Sequence, residues 1–89
     1  MTERAWGDAA FLNGSRYRRL AARALEQGPQ PPSSIAQEAG VPPSHVSRAL
    51  KQMETRGLAT CLSPSERVHY YELSARGREA VKLGVTDAA

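Results

Sequence analysis

Two helical patterns meet across a very short connection near the middle of this chain, and that spacing limits the folds open to it. The first runs from Pro32 to about Ala39, with Ile35, Ala36 and Ala39 on one face. Pro32 suits the first helical position, where its missing N–H costs nothing, and Ser34 with Gln37 offers a capping box as an alternative start. Gly40 is a natural stop. Only Val41 and Pro42 precede the second pattern, Pro43 to Arg56, in which Val46, Ala49, Leu50 and Met53 recur at helical spacing until Gly57. A short helix joined to a longer one by a glycine-containing turn of about four residues is the helix-turn-helix spacing.

Upstream, Tyr17, Leu20, Ala21, Ala24 and Leu25 make one apolar face of a helix from Ser15 to Gln27, with Ser15 as N-cap and Gly28-Pro29 as terminator. Arg16, Arg19 and Arg23 fall on its other side, within about 60° of one another at ~100° per residue. Pro29–Pro32 reads as a turn or short extended link. After Gly57 the period changes. Leu58–Leu62 reads as a strand, Ser63–Arg67 as a turn and Val68–Leu73 as the return strand, with Tyr71 and Leu73 pointing inward. Ser74 then caps a last helix from Ala75 to about Leu83. The expected fold is α+β, mostly α: a winged helix-turn-helix over residues 11–85, with three helices, a two-stranded hairpin wing and a C-terminal helix. Residues 1–10 lack any period and read as a flexible arm, and 86–89 as a short tail. Trp6 and Phe11 lie outside the compact motif, as candidates for a partner contact or for packing back on the domain.

Three stretches resemble winged-helix transcription regulators. Pro32-Ser33-Ser34-Ile35-Ala36-Gln37-Glu38-Ala39-Gly40-Val41 is similar to their "PSEIAxxxG" helix. Ser44 to Leu58 resembles their "SxVSRALKxLExRGL" recognition helix, and Tyr71-Glu72-Leu73-Ser74-Ala75-Arg76-Gly77 resembles the "YxLTxxG" close of the wing. Ser15-Arg16-Tyr17-Arg18-Arg19 resembles the opening helix of archaeal ArsR-like and MarR-like regulators. The resemblance covers about Phe11 to Leu83 and implies DNA binding. Two departures stand out: there is no room for the effector or dimerisation domain that many relatives attach, and the wing tip carries a single basic residue, Arg67.

Composition narrows the function classes. At 89 residues and 9.7 kDa the chain is one small domain, burying roughly 64% of its extended surface on folding. Most enzyme scaffolds with a deep cleft do not fit. No P-loop, GxSxG, HExxH or GxGxxG is present, so an enzyme is the least supported class and no cofactor is implied. Twelve basic against nine acidic residues give +3, a balance that permits a polyanionic partner without demanding one. Cys61, the single cysteine, excludes an intramolecular disulfide framework and a cysteine-based zinc knuckle. It reads as a small, partly buried hydrophobe, with a redox-sensing thiol as the sharper alternative. His45, His69 and Cys61 do not have metal-site spacing. No apolar run approaches a membrane span of ~18 residues, and the N-terminus has no secretory core, which leaves the cytoplasm as the default.

The chemistry concentrates on the helix at 43–56. Its outward pole holds Ser44, Arg48, Lys51 and Thr55, flanked by His45, Ser47 and Gln52, and no acidic side chain lies between Pro42 and Met53. Arg48 can donate two hydrogen bonds to guanine O6 and N7. Ser44, His45 and Ser47 are short enough for base edges or for phosphates at the helix N-terminus. Lys51 is better placed for the backbone, and Arg67 for the adjacent minor groove. Ser33 and Ser34 occupy positions that, by the resemblance, hold a phosphate. Each has a plainer reading: a solvated face for Arg48 and Lys51, helix caps for the serines, a turn charge for Arg67. The Arg16, Arg19 and Arg23 stripe reads as a solvated face, with flanking phosphates or a dimer partner as the alternative. Tyr70 alone is too little for a single-strand stacking platform.

The leading expectation is a sequence-specific double-stranded DNA-binding transcription regulator, cytoplasmic and nucleoid-associated. It acts as a homodimer, with helix 43–56 in the major groove and wing 58–73 on the adjacent minor groove or backbone. No small-molecule effector is evident. The alternatives are a nucleoid-type protein with little sequence preference and a winged-helix protein-interaction adaptor; the basic, polar recognition face counts against the adaptor.

Overall fold

The computed structural model describes residues 3–63 and 67–86. Among them the order is α1 (Glu3–Asn13), α2 (Arg16–Leu25), α3 (Pro32–Ala39), α4 (Pro43–Thr55), β1 (Ala59–Cys61), β2 (Tyr71–Leu73) and α5 (Ala75–Gly84). The chain is a winged helix-turn-helix: α3 and α4 form the motif, the antiparallel β1–β2 pair follows at once, and α5 closes the domain.

Local chemistry explains most boundaries. Ser15 caps α2 by accepting from the Arg18 N–H at 3.3 Å. α3 and α4 each open on a proline at the first helical position and have no side-chain cap. The Ser34–Gln37 capping box therefore does not form; with Pro32 at the first helical position, α3 begins before Ser34 could serve as a cap. α3 and α4 also end by the same device. Gly40 and Gly57 adopt left-handed φ values of 70° and 83°, which glycine reaches without a Cβ clash. Each turn is closed by a long-reach bond, Val41 N–H to the Ala36 carbonyl at 3.0 Å and Leu58 N–H to the Met53 carbonyl at 2.8 Å. The second of these aims the chain out of the recognition helix directly into the wing.

The residues read as a flexible arm form α1 from Glu3 onward. Its buried face is Ala5, Asp8, Ala9 and Leu12, and α1 packs against α5 with two alanines on that face. Such a face has little amphipathic contrast, so periodicity does not reveal it. Thr86, read as the start of a loose tail, is bound to Asn13: its N–H donates to Asn13 Oδ1 at 3.0 Å, while Asn13 Nδ2 donates to the Gly84 carbonyl at 2.9 Å. Residues 87–89 lie outside the described residues.

The strands are shorter than the sequence pattern implies. Ala59 pairs with Leu73, Thr60 with Glu72 and Cys61 with Tyr71. Beyond them one backbone bond remains, Leu62 N–H to the Tyr70 carbonyl at 2.8 Å, and then a side chain replaces the ladder: Ser63 Oγ donates to the Val68 carbonyl at 3.1 Å and accepts from the Tyr70 N–H at 3.2 Å. Val68, expected in the return strand, is exposed there. The central part of the expected wing turn, residues 64–66, lies outside the described residues. On its other edge β2 pairs with Gln30, whose N–H and carbonyl both bond to Tyr71, at 3.1 and 2.9 Å. The link before α3 is thus stitched to the wing.

The core is built from Leu12, Ile35, Val46, Leu50, Met53, Leu58 and Leu73, all fully or almost fully buried, with Tyr71 closing it from the wing as expected. Phe11 and Cys61 pack partly buried against it. α5 is drawn in by Gly77, where an added Cβ would collide with the Leu58 carbonyl oxygen and lie 3.2 Å from Leu73 Cδ2. Ser74 prepares that approach. It caps α5 by accepting from the Gly77 N–H at 3.0 Å and donates to the Gly57 carbonyl at 2.6 Å.

Candidate nucleic-acid interface

The outward pole of α4 forms as its spacing implies. Ser44, Arg48, Lys51 and Thr55 are exposed, while Val46, Ala49, Leu50 and Met53 are buried beneath them. Among the described residues no carboxylate pairs with Arg48 or Lys51. The hydroxyls of Ser33, Ser34 and Ser44 are not engaged in capping, because α3 and α4 have no side-chain cap. These donors, and the positive ends of two helix dipoles, face solvent together.

Three candidates from distant parts of the sequence share one groove of about 330 Å³: Ser33 at the start of α3, Ser47 on α4 and Arg67 on the wing, with Pro32, Pro43 and His69 among its walls. Gln30 makes this possible by joining the approach to α3 to β2. Ser44, Arg48 and Lys51 stand on the adjoining pole, and Ser34 is exposed on α3 without lining the groove. His45 departs from this arrangement. Its ring is stacked on Tyr17 of α2, with centroids 4.7 Å apart and planes 11° from parallel. It remains exposed, but one face is committed to packing.

On the other side of α4 lies a second concavity, of about 630 Å³, that the sequence does not signal. It is lined by Phe11, Arg18, Arg48, Lys51, Gln52, Thr55 and Arg56. Arg18 is fixed by its Nε donating to the Phe11 carbonyl at 2.8 Å and by its terminal N–H donating to Gln52 Oε1 at 2.9 Å. The Arg18 and Arg56 guanidiniums lie 4.1 and 4.7 Å from the Phe11 ring centroid. Burial, and then the charge of Arg56, lower the Arg18 pKa from its ordinary value.

Arg56 in turn donates from Nε to Asp8 Oδ1 at 3.0 Å. Asp8 is fully buried. Arg76 of α5 grips the same carboxylate with two bonds, of 2.6 and 2.9 Å. The Arg76 hydrogen bonds are the main reason that the Asp8 pKa is lowered, against the opposing effect of burial and with further help from Arg56. One carboxylate thus joins α1, the end of α4 and the start of α5.

The Arg16, Arg19 and Arg23 stripe keeps two exposed members, Arg16 and Arg23, with Arg19 half-buried, and each makes a local link. Arg19 donates to the Asn13 carbonyl at 2.6 Å, Arg23 pairs with Glu26 at 3.1 Å, and Arg16 lies 5.9 Å from the Tyr17 ring centroid. Cys61 is half-buried as a free thiol. Among the described residues no group of three or more His, Cys, Asp and Glu is placed to hold a metal ion, and no helix is long and apolar enough to cross a membrane.

Residues 23–61 match the family model of the IclR helix-turn-helix domain. The match takes in the end of α2, the whole α3–turn–α4 unit and β1, somewhat less than half of the chain. It falls on the segment that carries Ser33, Ser34, Ser44, His45, Ser47, Arg48 and Lys51, and it supports a DNA-binding helix-turn-helix of the kind found in transcription regulators. The likeness is to the IclR type; the archaeal, ArsR-like and MarR-like resemblance gains no support from it. α1, β2 and α5 lie outside the matched segment. No curated protein and no solved structure matches the chain.

Proposed function

We propose that this protein is a sequence-specific double-stranded DNA-binding transcription regulator that acts as a homodimer. The observation that carries the reading is the outward pole of α4, with Ser44, Arg48 and Lys51 exposed and neither cation paired with a carboxylate among the described residues, beside a groove that gathers Ser33, Ser47 and Arg67. α4 enters the major groove, where Arg48 reads a guanine edge and Ser44 and Ser47 reach base edges or phosphates. Ser33, Ser34 and Lys51 take phosphates, and Arg67 brings the wing onto the adjacent minor groove or its backbone. His45 contributes its free edge at the rim of this surface. Dimerisation runs through α1, which presents Trp6 at 60% exposure; a dimer doubles the base pairs read. The cytoplasm, in contact with the nucleoid, is the compartment this role requires.

The test is a fluorescence-anisotropy titration into a duplex from the upstream region of the protein's own gene, beside a scrambled duplex, each at about 50 and 200 mM salt. Phosphate contacts make the loss between the two steep. Tight, salt-sensitive binding with preference for the native duplex is the expected result. Equal salt-sensitive binding to both would favour the nucleoid-type role. No binding to either at low salt would sink DNA binding and favour the adaptor. Sedimentation equilibrium checks the dimer: Trp6→Glu is expected to give a monomer that binds DNA more weakly, and an unchanged oligomeric state would remove α1 from the interface.

A further inference from the structure

The two concavities flank α4 from opposite sides. At ~100° per residue, Ser47 and Gln52 lie about 70° to either side of the outward pole; the wing groove opens on the side of Ser47 and the larger pocket on the side of Gln52. The larger pocket is strongly cationic. Four of the chain's twelve lysines and arginines line it, Arg18, Arg48, Lys51 and Arg56, and no carboxylate does. Its two inner arginines are held rather than free: Arg18 by the Phe11 carbonyl and Gln52, Arg56 by Asp8, and both by the Phe11 ring. Like charges kept side by side repel, and an entering anion relieves that repulsion. Neither guanidinium uses all of its five N–H donors in these bonds. A helix in the major groove, which is about 12 Å wide, has a sugar–phosphate backbone on each side.

We infer that the pocket beside Arg48, with Arg18, Lys51 and Arg56 as its donors, is a phosphodiester site, and that it takes a backbone phosphate of the duplex on the side of α4 away from the wing. The inference rests on the DNA-binding reading of α4 and adds to it a second clamp point. Arg18 and Arg56 are its rigid donors, and Lys51 closes it from the exposed side. The clamp sets the register of the helix in the groove, whatever the base sequence.

The experiment measures the slope of log affinity against log salt, between about 50 and 200 mM, on one duplex. It compares the unaltered protein with Lys51→Gln, Arg18→Gln, Thr55→Glu and Lys82→Gln. Lys82 is exposed on α5 and matches the charge lost at Lys51. Lys51→Gln and Arg18→Gln are each expected to flatten the slope by about 1 and to weaken native and scrambled duplexes alike. Thr55→Glu, which places a carboxylate in the pocket and leaves both arginines anchored, is expected to weaken binding about tenfold at the lower salt and less at the higher. Lys82→Gln is expected to leave the slope unchanged. Thermal unfolding shows whether Arg18→Gln is folded; Lys51→Gln and Thr55→Glu carry the test if it is not. Unchanged slopes in both of these, or an equal effect of Lys82→Gln, would overturn the pocket. An unchanged DNA slope together with a Lys51-dependent rise in Tm on adding inorganic pyrophosphate would overturn the duplex as the source and assign the site to a soluble phosphate. If the unaltered protein binds no duplex, the DNA-binding reading falls first and the clamp with it.

Discussion

The imidazole of His45 lies flat on the phenol ring of Tyr17, 4.7 Å between centroids, so the first turn of the recognition helix is packed onto α2 through an aromatic pair. The two residues are far apart in sequence, and neither helix pattern hints at the contact. The pair steadies the N-terminal end of α4, where the positive end of its helix dipole lies.

His45→Ala is therefore expected to act mainly on stability. An aromatic pair is worth about 0.5–1.5 kcal/mol beyond its buried area, and an exposed pair sits at the low end. Urea unfolding checks the loss. Anisotropy on duplexes changed at one base pair at a time is expected to show uniform weakening. A changed preference at a single position would instead make His45 a base reader.

Arg48→Ala is expected to do the reverse. Arg48 is exposed and has no carboxylate partner among the described residues, so the melting temperature should not move. Affinity for the preferred duplex should fall by about 1–3 kcal/mol, with relaxed discrimination at one base pair. Equal weakening on every sequence would demote it to a phosphate contact.

Asp8 gives the fold an acid-sensitive joint. Hydrogen bonds from Arg76, then from Arg56, hold its carboxyl below the ordinary range in the folded state. The ionised form is thus favoured by folding. Its contribution is complete above the unfolded-chain value of about 3.9, and drains away as the pH drops from there through the lower folded value. Asp8→Asn is expected to cost about 2 kcal/mol at neutral pH, from the loss of charge-assisted bonds at a buried site, and to remove this part of the acid sensitivity. Chemical denaturation at a series of pH values from 7 downward checks both; a constant difference between the two proteins across the acid range would refute the linkage.

Gly77→Ala and Gly40→Ala separate two reasons for glycine. At Gly77 the obstacle is the Leu58 backbone, which cannot swing aside as a side-chain tip could. Overpacking of this kind costs about 3 kcal/mol or more. At Gly40 there is open space, and only the left-handed backbone resists the change, at about 1–2 kcal/mol. Thermal unfolding of the two variants should rank them in that order.

The helix-turn-helix was legible because its signals are local: prolines that start helices, glycines that stop them, and a four-residue apolar spacing on α4. The serines and cations of α4 were legible for the same reason, since a helix fixes which side chains share a pole. What escaped was long-range or made of small residues. α1 buries alanines, which carry little periodic contrast, and its one buried polar residue, Asp8, looks in the sequence like an ordinary surface acid. Arg18 sits between Arg16 and Arg19, and nothing local separates the arginine that builds a pocket from those that bond to the chain nearby. The strands read too long because Ser63 takes over the bridging where the ladder stops, a substitution that composition does not reveal.

The buried carboxylate of Asp8 bears on how this helix-turn-helix unit can be moved between proteins. The segment that matches the IclR domain ends at Cys61, yet the last turn of α4 is anchored by a residue near the start of the chain, which is itself gripped by one in α5. A fusion built from residues 23–61 alone would deliver the recognition helix with its mooring cut and Arg56 without its counter-ion. For recombination, by nature or at the bench, the smallest portable piece runs from α1 through α5.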